Sequence, residues 1–141
     1  IKKSILILDS KNHIIKYQID QNLKIYGSKK EIESAFTNLI TNAIRYTNKN
    51  GSISISWRLI NGLPIFEVRD TGNGIEQKHI NRITERFYRV DLDRSRDSGG
   101  TGLGLSIVKN IIKQHDGELK ISSEVGKGSS FKLIFSKESI I

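Results

Sequence analysis

Residues 28–57 read SKKEIESAFTNLITNAIRYTNKNGSISISW, and two hydrophobic periods lie side by side in them. Ser28 and Glu31 form an S-x-x-E capping box, in which each side chain can satisfy the other residue's free backbone N–H, and this marks a helix start. Ile32, Ala35, Phe36, Leu39, Ile40, Ala43 and Ile44 then recur at the three- and four-residue spacing of one buried helical face. Asn50-Gly51 is a turn. After it Ile53, Ile55 and Trp57 alternate with serines, as in a strand with one face buried. A one-sided helix followed at once by a one-sided strand needs two layers, each covering the other's apolar face.

The same reading extends outward. Asn61-Gly62 is a second turn signal, so residues 65–69 pair back on the preceding strand as a hairpin that ends at Asp70. Upstream, residues 13–20 read as a strand and residues 23–26 as a short one, while the aliphatic residues 5–8 fit helix or strand equally well. Downstream, a short helix is expected near residues 77–83, then a polar stretch around Asp93, Arg94, Ser95, Arg96, Asp97 and Ser98. Another helix follows over about residues 103–115, with Ile107, Val108, Ile111 and Ile112 apolar and Gly117 as its stop. A last hairpin pairs Leu119 and Ile121 with Phe131, Leu133 and Phe135 through Gly126 and Gly128. Helices interleaved with hairpins predict an α/β fold, a two-layer sandwich on a mixed sheet.

A length of 141 residues, 36% of them hydrophobic, suits one compact domain over residues 1–141. The net charge of +8 favours anionic partners such as nucleotides, nucleic acid or acidic protein surfaces. With no cysteine, disulfide scaffolds, thiolate zinc sites and cysteine nucleophiles are excluded. The aliphatic run of residues 5–8 is far shorter than the roughly 20 apolar residues a membrane span needs. The chain starts at Ile1 and has no methionine, and it reads as a piece of a longer protein.

Four segments could carry chemistry. On the first helix Asn38, Asn42 and Tyr46 follow one border of the apolar stripe, with Arg45 beside them. An amide oxygen is a hard ligand suited to Mg²⁺, an arginine can meet a phosphate and a tyrosine can lie against a base, although a helix border is also simply where polar residues go. Asp70-Thr71-Gly72-Asn73-Gly74-Ile75 follows a strand: its carboxylate can accept from an amine such as the exocyclic group of adenine and its glycines permit close approach, or it is an ordinary turn. Gly99-Gly100-Thr101-Gly102-Leu103-Gly104-Leu105 opens a helix, where free N–H groups and the dipole suit a phosphate; a hinge without a ligand reads the same way. It lacks the G-x-x-x-x-G-K-[ST] of a Walker A loop, and the polar segment before it is not the strand that a dinucleotide fingerprint requires. In Glu85-Arg86-Phe87-Tyr88-Arg89 the two aromatics need somewhere to pack, either anchoring a movable segment with an arginine near anionic oxygens or burying themselves under a surface helix.

In this order and at these separations, Asn-x-x-x-Asn, Asp-x-Gly-x-Gly, Phe-Tyr and Gly-x-Gly-Leu-Gly resemble the N, G1, F and G2 boxes of the catalytic ATP-binding domain of sensor histidine kinases. The resemblance covers nearly the whole chain and, through residues 84–91 and 99–105, looks most like the phosphate-regulon branch. It implies the Bergerat ATP-binding fold and a nucleotide site with ATP and Mg²⁺ as its cofactors. Asn42 would hold Mg²⁺ with Asn38 close by, Arg45 would touch phosphate, Tyr46 would flank the adenine, and Asp70 would bind its amino group. Gly72, Gly74 and Ile75 would pass beneath the base, and Ser129 stands where relatives often carry a threonine that fixes adenine through water. Residues 84–100 would be a lid over the nucleotide, bringing Arg86 and Phe87 to it. Gly100, Gly102 and Gly104 would form its phosphate-side hinge, with Thr101, Leu103 and Leu105 also at the nucleotide.

Two features shape the activity that this resemblance implies. ATPases of the same fold carry a glutamate at the position of Asn38, where it activates water; an amide has no useful basicity, so phosphoryl transfer is expected rather than fast hydrolysis. None of His13, His79 and His115 has the context of a phosphoacceptor, although His115-Asp116 superficially begins one. The expected partner is therefore a dimerisation and phosphoacceptor domain of the same parent protein, with residues 1–10 the end of the linker to it and a response regulator served indirectly. No nucleic-acid partner is expected, because the positive charge is spread along the chain without an RRM or helix-turn-helix signature. Neither is membrane contact, the implied location being the cytoplasmic side of an inner-membrane sensor kinase.

Overall fold

The computed structural model describes residues 12–88 and 104–141. Five strands form one sheet: β1 (Ile14–Ile19), β2 (Ser52–Ile60), β3 (Leu63–Asp70), β4 (Glu118–Glu124) and β5 (Gly128–Ile134), in the order β1-β2-β3-β5-β4. β1 runs parallel to β2 and every other pair is antiparallel, so the sheet is mixed. The β2–β3 hairpin turns on Asn61 (φ 54°) and Gly62 (φ 80°), two left-handed residues whose twist matches that of the strands. Helices α1 (Lys29–Tyr46), α2 (Gln77–Ile80) and α3 (Gly104–Gln114) complete the described elements, with a 3-10 turn at Lys137–Ser139.

The core lies between one sheet face and the two long helices. Leu39, Ile40, Ala43 and Ile44 of α1 and Leu105, Val108 and Ile112 of α3 pack on Ile53, Ile55, Phe66, Val68, Phe131 and Leu133. At one end of this layer Phe36 stacks on Phe66 with ring centroids 3.7 Å apart, and Trp57 meets Phe135 edge-on at 5.7 Å. The Trp57 indole N–H donates to the Leu23 carbonyl at 3.0 Å, so its polar end is satisfied as well.

The structure corrects three local expectations. Residues 23–26 are not a strand: Ile25 makes a single bridge with Ile140, so the partner it lacks nearby comes from the far end of the chain. The capping box forms by half. Ser28 Oγ accepts the Glu31 N–H at 3.3 Å, but the Ser28 N–H goes to His115 Nε2 at 3.1 Å instead of to Glu31. At the end of α3 the left-handed residue is Asp116 (φ 56°), not Gly117. Glycine is needed at 117 for space, because a β-carbon there would lie 2.6 Å from both Ile112 Cδ1 and the Ile134 carbonyl oxygen.

Candidate functional site

The buried stripe of α1 sets the orientation of its polar border. With Leu39, Ile40, Ala43 and Ile44 in the core, Asn38, Asn42 and Arg45 are half-buried and Tyr46 is exposed. Asn38 Nδ2 donates to the Ser34 carbonyl at 2.8 Å, one turn back. That bond directs Oδ1 toward the start of α3, where a β-carbon on Gly104 would stand 3.1 Å from it. Thus the first residue of α3 sits against the asparagine border of α1. Leu105 follows with its side chain in the core, which leaves only its backbone to face a ligand. Among the described residues no three His, Cys, Asp or Glu gather to hold a metal. Neutral amide oxygens fit Mg²⁺ that arrives on phosphates with its own waters, rather than an ion in a protein cage.

At the end of β3, Asp70 is buried between Ile53 of β2 and Ser129 of β5. Its Oδ1 accepts the Gly72 N–H at 2.8 Å. Burial pushes the carboxyl pKa above the ordinary carboxylate value, and the N–H groups of Gly72 and Ser129 pull it part of the way back. The turn that follows Asp70 is packed tightly on neighbouring backbone. A β-carbon on Gly72 would be 2.5 Å from the Tyr46 carbonyl oxygen, and one on Gly74 (φ 76°) would be 2.2 Å from that of Glu124. One on Gly128 (φ 133°) would be 2.0 Å from the carbonyl of Asp70 itself. The glycines therefore seat the turn between the last turn of α1 and the β4–β5 hairpin. Asp70 and the α1 border meet through that turn. Gly72 needs glycine for this close approach, whereas Gly74 needs it for both space and backbone sign.

Beyond Gly74 the Ile75 N–H donates to Ser123 Oγ at 2.7 Å, and Ser123 Oγ lies 2.7 Å from Ser129 Oγ. Nothing in the linear sequence marks Ser123; the only available signal was its β4 position opposite Ser129 in the final hairpin.

The aromatic pair after α2 divides. Tyr88 packs, with its hydroxyl hydrogen-bonded to His79 Nδ1 and the Arg82 guanidinium 4.6 Å from its ring centre. Arg82 is held in turn by Glu85 at 3.2 Å. Phe87, expected to need a packing site, is 65% exposed and has a left-handed backbone (φ 64°). Arg86 is exposed, its guanidinium 6.0 Å from the Phe87 ring. Neither Arg86 nor Phe87 shares a hydrogen bond or ion pair with Asn38, Asn42 or Asp70 among the described residues. Gly100, Thr101, Gly102 and Leu103 lie outside those residues, as does residues 89–100 of the expected lid.

Comparison with known proteins gives the family of the chain. The model of the histidine kinase-, DNA gyrase B- and HSP90-like ATPases matches residues 27–139. The phosphate regulon sensor protein PhoR of Pseudomonas aeruginosa is 46% identical over 125 residues, 89% of this chain and 28% of its own length. That of Haemophilus influenzae is 43% identical over 141 residues, all of this chain and 33% of its own. The chain thus spans about a third or less of these curated relatives. Among solved structures, the mycobacterial sensor histidine kinase MprB superposes with a TM-score of 0.81 at 21% identity, over 95% of this chain and 87% of that one. ShkA, solved full-length in complex with AMPPNP, gives a TM-score of 0.79 at 24% identity over 95% of this chain and 28% of that one. The chain belongs to the histidine kinase-, DNA gyrase B- and HSP90-like ATPase family.

Proposed function

We propose that this domain binds Mg²⁺·ATP and presents the γ-phosphoryl group to a histidine imidazole on another domain of its parent protein. The observation that carries the reading is the convergence of three elements: the asparagine border of α1, the start of α3 against Asn38, and the buried acceptor Asp70 joined to α1 through Gly72. Asp70 would take the adenine amino group, and the turn over Gly72 and Gly74 would pass under the base. Phosphates would lie between Asn42, Arg45 and the N-terminal N–H groups of α3, where the helix dipole favours negative charge. Mg²⁺ bound there would neutralise phosphate charge, with Asn42 as its protein ligand and Asn38 beside it. The relatives named as sensor proteins, and ShkA with its AMPPNP, support this assignment.

What the chain's own residues supply is positioning and charge neutralisation, which is most of what phosphoryl transfer asks of a protein. The histidines give no acceptor. His13 Nε2 bonds the Thr47 carbonyl, His79 Nδ1 bonds Tyr88, and His115 bonds Ile111 through Nδ1 and Ser28 through Nε2. All three imidazoles are engaged in holding the fold. Asn38 offers no base for water. Incubation with γ-labelled ATP, alone and with a separate acceptor domain of the same parent, tests the proposal. The chain alone should bind ATP yet neither label itself nor release phosphate quickly, and adding the acceptor should give an acid-labile label there. Rapid phosphate release by the chain alone would instead make it a hydrolase of the gyrase type.

A further inference from the structure

Ser123, Ser129 and Asp70 sit on one row across β4, β5 and β3, because Ser123 pairs with Ser129 and Ser129 with Asp70. The Ser123 hydroxyl has three polar neighbours. The Ile75 N–H reaches it at 2.7 Å, the Gly128 carbonyl lies at 3.0 Å, and Ser129 Oγ lies at 2.7 Å. An N–H can only donate, a carbonyl can only accept, and a hydroxyl owns one proton. Only one assignment satisfies all three contacts: Ser123 donates to Gly128 and accepts from both Ile75 and Ser129. The Ser129 proton is thereby committed, and its oxygen is left as an acceptor on the residue that pairs with Asp70 across the sheet.

We infer that Ser123 is a positioning residue for base selectivity: by holding the Ser129 proton it keeps the sheet row at Asp70 an acceptor surface, while its bond to Ile75 ties down the glycine turn. The inference rests on the nucleotide reading above. Two adjacent acceptors suit a ligand group with two N–H donors, such as the 6-amino group of adenine or a water bonded to it. They oppose the 6-oxo group of guanine, which offers only lone pairs. Ser123 need not touch the base to do this.

The test is the ratio of ATP to GTP affinity, measured by calorimetry on the full chain in Mg²⁺ alongside its thermal unfolding. Ser123→Ala frees the Ser129 hydroxyl to turn and donate, so the ratio should fall by about tenfold, the scale of one hydrogen bond made or opposed. Ser123→Thr keeps the hydroxyl and should restore it. An unchanged ratio in Ser123→Ala, or an equal fall in both variants, overturns the inference even if stability drops, because a hairpin staple alone has no preference between bases. If Ser123→Ala does not fold, Ser129→Ala decides: it removes the acceptor and leaves Ser123 bonded to Ile75 and Gly128, so an unchanged ratio there also overturns it. A wild-type chain that binds neither nucleotide refutes the nucleotide reading instead.

Discussion

Replacing Asp70 by asparagine should weaken the binding of ATP while leaving the free domain as stable as before or more so. The amide can keep the bond from the Gly72 N–H, now 2.8 Å from Oδ1, by placing its own oxygen there. That orientation puts an NH₂ group where the second carboxylate oxygen stood, so a donor faces the adenine amino group. A hydrogen bond to a charged acceptor contributes about 1.5–3 kcal/mol, and its loss weakens binding by about ten- to a hundredfold. Stability moves the other way. Burial raises the Asp70 pKa in the folded state, so the native protein binds this proton more tightly than the unfolded chain does. The ionised carboxylate therefore costs stability at neutral pH, and that cost disappears as pH falls from the raised folded value toward the unfolded one. The substitution removes the cost and this part of the pH slope. Calorimetry with ATP at neutral pH and thermal unfolding of the free domain between about pH 4 and pH 8 measure the two effects. Equal ATP affinity in both proteins would remove Asp70 from the site. A neutral-pH Tm well below that of wild type would show that the carboxylate stabilises the fold and that desolvation is not the dominant influence on it.

Other outcomes follow from the same geometry. Wild-type ATP affinity should decline as pH falls through the raised pKa of Asp70, and the Asp70→Asn variant should lack that component in parallel titrations. Asn42→Ala should weaken binding more in Mg²⁺ than in EDTA, because it deletes a metal ligand and spares the adenine contacts; an equal loss in both would reduce Asn42 to a packing role. Gly74→Ala places a β-carbon 2.2 Å from the Glu124 carbonyl at φ 76°, so it should cost well over about 1 kcal/mol in denaturant unfolding. Gly126→Ala shares the positive φ, at 84°, but nothing lies within 4 Å of its β-carbon, and it should cost no more than about 1 kcal/mol.

Much of the architecture was legible because local and tertiary preferences agree. In α1 the cap, the apolar stripe and the C-terminal turn all specify the same helix, and in β2–β3 the Asn61-Gly62 pair specifies the turn that the strand twist requires. Reading failed where the deciding partner is remote. Ile25 bridges Ile140, the Ser28 N–H goes to His115 rather than to Glu31, and Gly117 is required by the Ile112 side chain and the Ile134 carbonyl packed over it and not by its own backbone angle. Phe87 and Tyr88 look alike as neighbouring aromatics, yet His79 and Arg82 lie where only Tyr88 can meet them.

By itself the sequence determined the periods, the turns and the chemistry of each candidate group: Asn38 is an amide and no base, Asp70 ends a strand, and glycines lead the second long helix. These are properties of single residues and their near neighbours, and they survive in any fold that accepts the pattern. Only the tertiary structure decided which groups share a site. The register that brings the Ser123–Ser129 hairpin pair into one row with Asp70 arises from pairing β3 with β5, strands far apart in the chain. His13 and His115 are committed to structural bonds by residues far off in the chain, Thr47 and Ser28. Sheet register and helix packing are set by burying apolar surface over the whole domain at once, so the polar groups they bring together cannot be read from local spacing alone.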